Sequence, residues 1–461
     1  MGKRTLLIGF SALVLSLASF AGTPDNMLIW LKNGEQRAFD INQVDSVTFG
    51  VTQQQEYQPL TENTMPPTFA QPIPLKMNEE GLKHIKSTNE FGRKCFVELR
   101  KGDPDGVRFF SPISLNIALG LCANGATKEG AKEITDALGF DSNNAIEDMN
   151  DFFNKVYLSL NSFVDSVIMS TSNAVWLDAR SGAYPNFVKL AKETYYATIR
   201  NLDFYGDPSG SKDTIDHWAA LVTHDCIKNL SIQVKEDTKF VLNNACYFKG
   251  SWVTKFLPAG KAAFYPTPDV TEETDFMSIR DEAMEYAETD EYQAIKLDYG
   301  LESQKPSLKP GITTSACAYS MIVVLPNTGH DLDEVWSTIR WDSIPFNYMM
   351  GTISMPKFKA AGGSPLKECV KNLGIKEIFQ TCPYIVPGEN YIEDIAQDFF
   401  INVDEEGTEA AAVTSIVGAG GAAMRFFRMT CDRPFAFVIR ENKTGLILFM
   451  GEYDSVPKAE N

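Results

Sequence analysis

The run GTEAAAVTSIVGAGGAA, residues 407–423, limits the fold of this chain more than any other stretch. Glu409 is its only charged residue, and nearly every other side chain is small, β-branched or absent. The run is too glycine-rich and polar to make a good membrane span. It is too long and too apolar to be an ordinary surface turn. The acidic segment Val403-Asp404-Glu405-Glu406 stands before it, and a mixed strand-and-loop segment closes the chain after it. The fold must therefore use a segment that can be both a loop and a strand.

The 461 residues suffice for one large domain or two to three small ones, and an apolar content of 44% permits a sizeable core. The formal net charge of −18 argues against nucleic acid, anionic membrane surfaces and other polyanions as partners. At the N-terminus, Lys3 and Arg4 precede the apolar stretch Leu6 to Phe20, and Ser19-Phe20-Ala21 offers a small-x-small cleavage site. Residues 1–21 thus read as a signal peptide, too short for an anchor, and the protein is expected to be secreted, periplasmic or cell-surface. No cysteine near the cut suggests a lipid anchor. The eight cysteines are widely spaced and form no C-x-x-C; few or no disulfides are expected.

Residues 22–51 read as a short β segment, with strand-like Met27 to Leu31, an Asn33-Gly34 turn signal, and further strands at Arg37 to Ile41 and Val44 to Phe49. It serves either as a surface-docking element or as a capping hairpin. Residues 52–76, rich in Gln, Pro and Thr, form a linker. The main domain spans residues 77–457, and 458–461 are a tail. Its first half has helical patterns at Asn89 to Leu99, Ser114 to Leu121 and Ala126 to Leu138, the last ended by Gly139. Later come strand-like runs at Val241 to Phe248, Ala318 to Leu325, Gly351 to Phe358, Phe399 to Val403, Phe435 to Ile439 and Leu446 to Met450. Helices followed by many strands indicate an α+β class.

Enzyme signatures are missing: the chain has no H-E-x-x-H, G-x-S-x-G or P-loop. None of the four histidines is singled out as catalytic. Gly418-Ala419-Gly420-Gly421-Ala422-Ala423 matches the outline of a dinucleotide fingerprint, with Glu441 at the spacing of its acidic residue. The residues left after Ala423 cannot hold the helix and the remaining strands of a βαβαβ half, so that reading fails.

Seven short motifs share one family order. Phe110-Ser111-Pro112-Ile113-Ser114 opens an early helix, and Asn173-Ala174-Val175-Trp176 reads as a strand. Asn244-Ala245 is followed by Phe248-Lys249-Gly250, Trp252 and Phe256. Met355-Pro356-Lys357-Phe358, Asp432-Arg433-Pro434-Phe435 and Phe449-Met450-Gly451 come later, and residues 402–412 (NVDEEGTEAAA) precede the last two. Together they resemble the serpins, the family of suicide protease inhibitors, across the whole main domain. The resemblance implies a helical N-terminal half packed on three β-sheets and a reactive-centre loop at about 405–428. A protease cuts that loop, and the freed segment inserts into the main sheet as a central strand. The chain is then no enzyme and needs no cofactor or metal. Its partners are target proteases, and a monomer is expected.

The resemblance assigns the hinge to Glu405, Gly407, Thr408, Glu409, Ala410, Ala411 and Ala412. It assigns a buried polar cluster under the sheet to Ser111, Ser114, Asn244 and Gln397. Gln397 stands where the family commonly has His, and an amide keeps donor and acceptor capacity. Family spacing places the reactive bond at Gly421–Ala422. The stretch from Gly407 to Pro434 is slightly longer than in well-known members, so the window extends over Gly420, Ala423 and Met424. Small residues there suit elastase-like or subtilisin-like proteases; a cut after Arg425 points to a trypsin-like one, and cysteine proteases stay within range. The alternative is a non-inhibitory serpin acting as a chaperone, carrier or surface-interaction protein.

The residues fit strand insertion. A strand alternates faces with period two. Thr408, Ala410, Ala412, Thr414, Ile416 and Gly418 share one parity, and the only charge, Glu409, lies on the other. The first face can be buried without an unpaired charge, which would cost several kcal/mol.

Overall fold

The computed structural model describes residues 26–30, 36–40, 69, 71–101, 107–162, 164, 167–305, 316–408 and 426–457. The leader, most of the linker, the run Val44 to Phe49, the tail and residues 409–425 lie outside them. The chain divides into two units, residues 1–58 and 59–461. In the first, β1 (Asn26–Trp30) and β2 (Gln36–Asp40) pair antiparallel on either side of Asn33-Gly34.

In the second unit, capping residues fix the early helices. α1 (Glu79–Leu99) starts where the Asn78 side chain accepts the Gly81 N–H at 2.8 Å, with Glu79 and Glu80 complementing the helix dipole. It begins well ahead of the apolar pattern at Asn89, because the cap and not the pattern sets the start. α2 (Pro112–Ala123) begins at Ser111, whose hydroxyl accepts the Ser114 N–H, and Pro112 sits where no N–H is needed. Nearly all its residues are buried, so it is a central helix. α3 (Lys128–Leu138) is capped by Thr127 and ends at Gly139, which takes a left-handed φ of 79°. α4 (Ala145–Leu160), α5 (Pro185–Glu193), α6 (Pro208–Val222), α7 (Leu332–Thr338) and α8 (Lys367–Asn372) complete the α-helices among the described residues.

Strands β3 (Val107–Phe110), β4 (Val167–Asp178) and β5 (Thr198–Leu202) lie among the early helices. β6 (Phe240–Ser251), β7 (Leu257–Thr267), β8 (Val270–Glu288), β9 (Tyr292–Tyr299) and β10 (Tyr319–Pro326) follow. Then come β11 (Asn347–Pro356), β12 (Phe358–Pro365), β13 (Ala396–Val403), the two-residue β14 (Gly407–Thr408), β15 (Phe426–Thr430), β16 (Phe435–Glu441) and β17 (Ile447–Tyr453). The expected strand Gly351 to Phe358 is divided at Lys357: β11 belongs to one sheet and β12 to another. Pro356, which has no N–H to give to a ladder, stands at the division.

A six-stranded sheet has the order β12-β13-β14-β6-β4-β5. A nine-stranded sheet has the order β15-β11-β8-β9-β10-β16-β17-β3, with β7 added on β8. The 19-residue β8 pairs with β7 and β11 over most of its length and with β9 at its end. That single long strand joins two of the three expected sheets into one hydrogen-bonded surface. α2 packs against both β6 and β17, so the main core lies between the two sheets. A second apolar cluster, including Trp176, Ile215, Trp218 and Ile227, covers the other face of the six-stranded sheet under α6. The class is α+β. No helix among the described residues is long and apolar enough to cross a membrane, and no His, Cys, Asp and Glu among them cluster as metal ligands.

Candidate functional site

β13 and β6 are joined in the six-stranded sheet through only two residues. Thr408 pairs with Val403 on one side and Gly250 on the other, and Gly407 pairs with Ser251. Below Thr408, β13 and β6 share no strand pairing among the described residues. The lower part of β6, from Phe240 to Cys246, is only half-buried although it lies in the middle of the sheet. A small cavity of about 20 Å³ opens directly under this point, lined by Tyr247 and Phe248 of β6, Phe400 and Ile401 of β13, and Thr408.

The turn before β14 is closely tied. The Asp404 carboxylate accepts the N–H groups of Glu406 at 3.0 Å and Gly407 at 3.3 Å. Trp252 donates its indole N–H to the Asp404 carbonyl at 2.9 Å and its backbone N–H to the Glu406 carbonyl at 2.9 Å. Glu405 pairs with Lys357 at 3.2 Å and Glu406 with Lys255 at 2.5 Å. Gly407 must be glycine for lack of space: a Cβ there would sit 2.1 Å from the Gly250 carbonyl oxygen.

Thr408 is 4% exposed, and its hydroxyl meets the Tyr299 hydroxyl at 2.8 Å. Tyr299 stacks on Trp252 with ring centres 4.4 Å apart. Burial pushes the Tyr299 phenol well above its usual range, so it stays protonated and can donate or accept toward Thr408. Thr408 therefore takes the inward parity expected from the alternation. Of the expected hinge, Glu405, Gly407 and Thr408 lie among the described residues, with the contacts given above. Glu409, Ala410, Ala411 and Ala412 lie outside the described residues, as do Gly420, Gly421, Ala422, Ala423 and Met424.

The four residues of the expected polar cluster divide into two sets. Gln397 accepts the Ser111 N–H at 2.5 Å and donates to the Ser111 carbonyl at 3.2 Å. The Ser111 hydroxyl donates to the Leu448 carbonyl at 2.7 Å and accepts the Ser114 N–H at 3.2 Å. Asn244 turns instead to β4, donating to Thr171 at 3.0 Å and Asn173 at 2.6 Å. Cys246 bridges the sets: its thiol lies 3.8 Å from the Asn244 carbonyl oxygen and interacts with the hydroxyls of Thr171, Ser111 and Ser114. Burial raises the Cys246 thiol above its ordinary pKa while those hydroxyls act against the shift, so it remains a thiol. Sequence reasoning missed Tyr299 and the bridging role of Cys246. Neither residue stands in the motifs with a mark that distinguishes it from core packing.

This arrangement holds the start of a strand between β6 and β13. Among known proteins, the family model for serpin (serine protease inhibitor) matches residues 86–456. An uncharacterised serpin-like protein of Methanosarcina acetivorans is 29% identical over 387 residues, covering 80% of this chain and 87% of that protein. The leukocyte elastase inhibitor of Homo sapiens is 27% identical over 393 residues, covering 81% and 100%. The native-state crystal structure of tengpin, a thermophilic serpin, superposes with a TM-score of 0.70 at 25% identity, over 84% of this chain and 97% of that one. A family match over most of the chain, on a sheet that carries Gly407 and Thr408 between β13 and β6, makes this protein a member of the serpin family.

Proposed function

We propose that the protein is an exported inhibitor that traps target proteases as covalent acyl-enzymes. The protease cuts the loop, its own Ser or Cys supplies the nucleophile, and the segment after Thr408 enters the sheet between β6 and β13. One observation carries this reading: Gly407 and Thr408 already occupy the top of that space, with Thr408 facing inward. The residues that follow keep the inward parity small and uncharged as far as Gly418.

The energetics support it. A new strand of about fifteen residues, at about 0.5–1.5 kcal/mol net per hydrogen bond, gains on the order of 10 kcal/mol. That is comparable with a whole folding free energy of about 5–15 kcal/mol, so the uncut form is held kinetically. Small residues at Gly420 to Met424 favour elastase-like or subtilisin-like targets, and one relative is named as an inhibitor of leukocyte elastase. The signal-peptide pattern of residues 1–21 supports export.

Mixing the protein with a protease panel and weighing the released C-terminal peptide tests the reading. A covalent complex stable on a denaturing gel and a cut between Gly420 and Met424 are expected. Cleavage with no complex, and no gain in heat stability of the cut form, overturns it in favour of a non-inhibitory carrier or chaperone.

A further inference from the structure

α1 keeps one buried face up to its last turns: Ile85, Thr88, Gly92 and Cys95 follow one another at three- and four-residue steps. α8 lies against that helix. On its outer side Glu368 and Lys371 pair at 2.9 Å. On the side toward α1 it carries Cys369 and Asn372.

The alignment of the two helices is fixed one turn away from the cysteines. Asn372 donates its amide N–H to the Glu98 carboxylate at 3.1 Å. Glu98 stands three residues after Cys95, and Asn372 three residues after Cys369, so each cysteine shares a helix face with one partner of this bond. The same step back along both helices brings the two thiols toward each other across the interface. Burial, and after it the facing Cys369, hold the Cys95 thiol well above its usual pKa. Burial and then Glu98 raise that of Cys369. Cys95 is fully enclosed, whereas Cys369 is 6% exposed.

We propose that Cys95 and Cys369 form a thiol–disulfide exchange site, and that an oxidising disulfide of the glutathione type converts them into a bond stapling α8 to α1. This does not depend on the inhibitory reading. Cys369, the more accessible of the two, attacks first: its thiolate bonds to one sulfur of the incoming disulfide and releases the other half as a thiolate. The Cys95 thiolate then attacks the Cys369 sulfur, closes the protein disulfide and releases the second half. Two electrons pass from the cysteines to the incoming disulfide, and the two thiol protons end on the two released thiols. The raised thiols make exchange slow in the folded protein and quicker while the chain is still folding, before burial acts on them. Export, as proposed above, brings the chain into a compartment where such a bond persists.

The bond joins residues far apart in sequence, so it closes a long loop and restricts the unfolded chain. It also fastens the β12–β13 pair from below. α8 follows β12, and Leu366 beside it donates its N–H to the Ile395 carbonyl, just before β13, at 2.9 Å.

The test uses the full chain, with the reduced protein as reference, since all eight cysteines are free thiols in the structure. One sample is refolded, and another incubated in its folded state, in a buffer of oxidised and reduced glutathione at pH 8. Both are blocked with N-ethylmaleimide and digested without reductant for mass spectrometry. A peptide pair joining Cys95 to Cys369 is expected in most of the refolded chain and in a smaller share of the folded sample. The oxidised protein melts about 5 °C above the reduced one. Cys95→Ala and Cys369→Ser each remove the linked peptides and the difference between oxidised and reduced midpoints, whatever either does to the midpoint itself. Free thiols at both positions in both samples overturn the proposal. So does linkage of either to another cysteine, or glutathione held on Cys369 with Cys95 free. A linked pair that melts with the reduced protein overturns the staple.

Discussion

Replacing Thr408 by Arg tests the insertion mechanism at its first step. In the native form Thr408 is 4% exposed and its hydroxyl sits 2.8 Å from that of Tyr299. Losing that bond and leaving the Tyr299 hydroxyl unsatisfied costs about 2 kcal/mol. A guanidinium in the same position would cost several kcal/mol more, because no carboxylate takes part in the Thr408–Tyr299–Trp252 contacts to pair with it. The segment therefore leaves the sheet rather than bury the charge, and native stability falls by no more than about 2 kcal/mol. Insertion suffers far more. If about 3 kcal/mol of the burial cost is felt in the transition state, insertion slows on the order of 100-fold and deacylation overtakes it. The variant then behaves as a substrate. The assay is a denaturing gel after mixing with pancreatic elastase, with Thr408→Ser as the control that keeps the hydroxyl. An undiminished covalent complex with Thr408→Arg refutes the claim that the Thr408 parity is buried during inhibition.

Three other outcomes are expected. Burial and the neighbouring Glu452 raise the Asp454 carboxyl from 3.8 to about 7, against the opposing pull of Arg108 and Arg100. The native state then binds a proton more tightly than the unfolded chain, so this contribution to stability is present at low pH and is lost as pH rises from about 4 to about 7. Between pH 5 and pH 8, urea midpoints should register a loss on the order of 2–3 kcal/mol that Asp454→Asn abolishes; an unchanged pH slope in the variant contradicts the assignment. Gly139→Ala forces a side chain onto a φ of 79° and places its Cβ 2.4 Å from the Ser87 Cβ, so thermal melting should show a loss of more than about 1 kcal/mol, and an unaltered midpoint counts against it. Burial pushes the Cys382 thiol up to about 12, so a thiol reagent at pH 8 should leave Cys382 unlabelled in the native protein and label all eight cysteines after unfolding; native labelling of Cys382 removes this reading.

Local chemistry was legible from the residues alone. Although the caps at Asn78 and Ser111 stand ahead of the helical patterns at Asn89 and Ser114 and were not read, the start near Thr127, the left-handed stop at Gly139 and the α+β class follow from side-chain hydrogen bonding and periodicity, which act within a few residues. So does the inward parity of Thr408, because alternation along a strand is a local rule. The count of sheets was not legible, since it depends on β8 pairing along its length with strands of both groups.

Only the tertiary structure decided which groups meet across the sheet. Tyr299 and Thr408 are separated by 109 residues, Ser111 and Gln397 by 286, and Ser231 and Asp398 by 167. Nothing in the neighbourhood of Asn244 tells that it turns to Thr171 and Asn173, leaving Cys246 to bridge to the serines. The sequence by itself determined that a run of small residues with one charge, Glu409, follows the acidic segment Val403 to Glu406. The packed chain decided that Gly407 and Thr408 sit between β13 and β6 and which side chains meet them there, because those are contacts between distant segments and leave no periodic trace in any one of them.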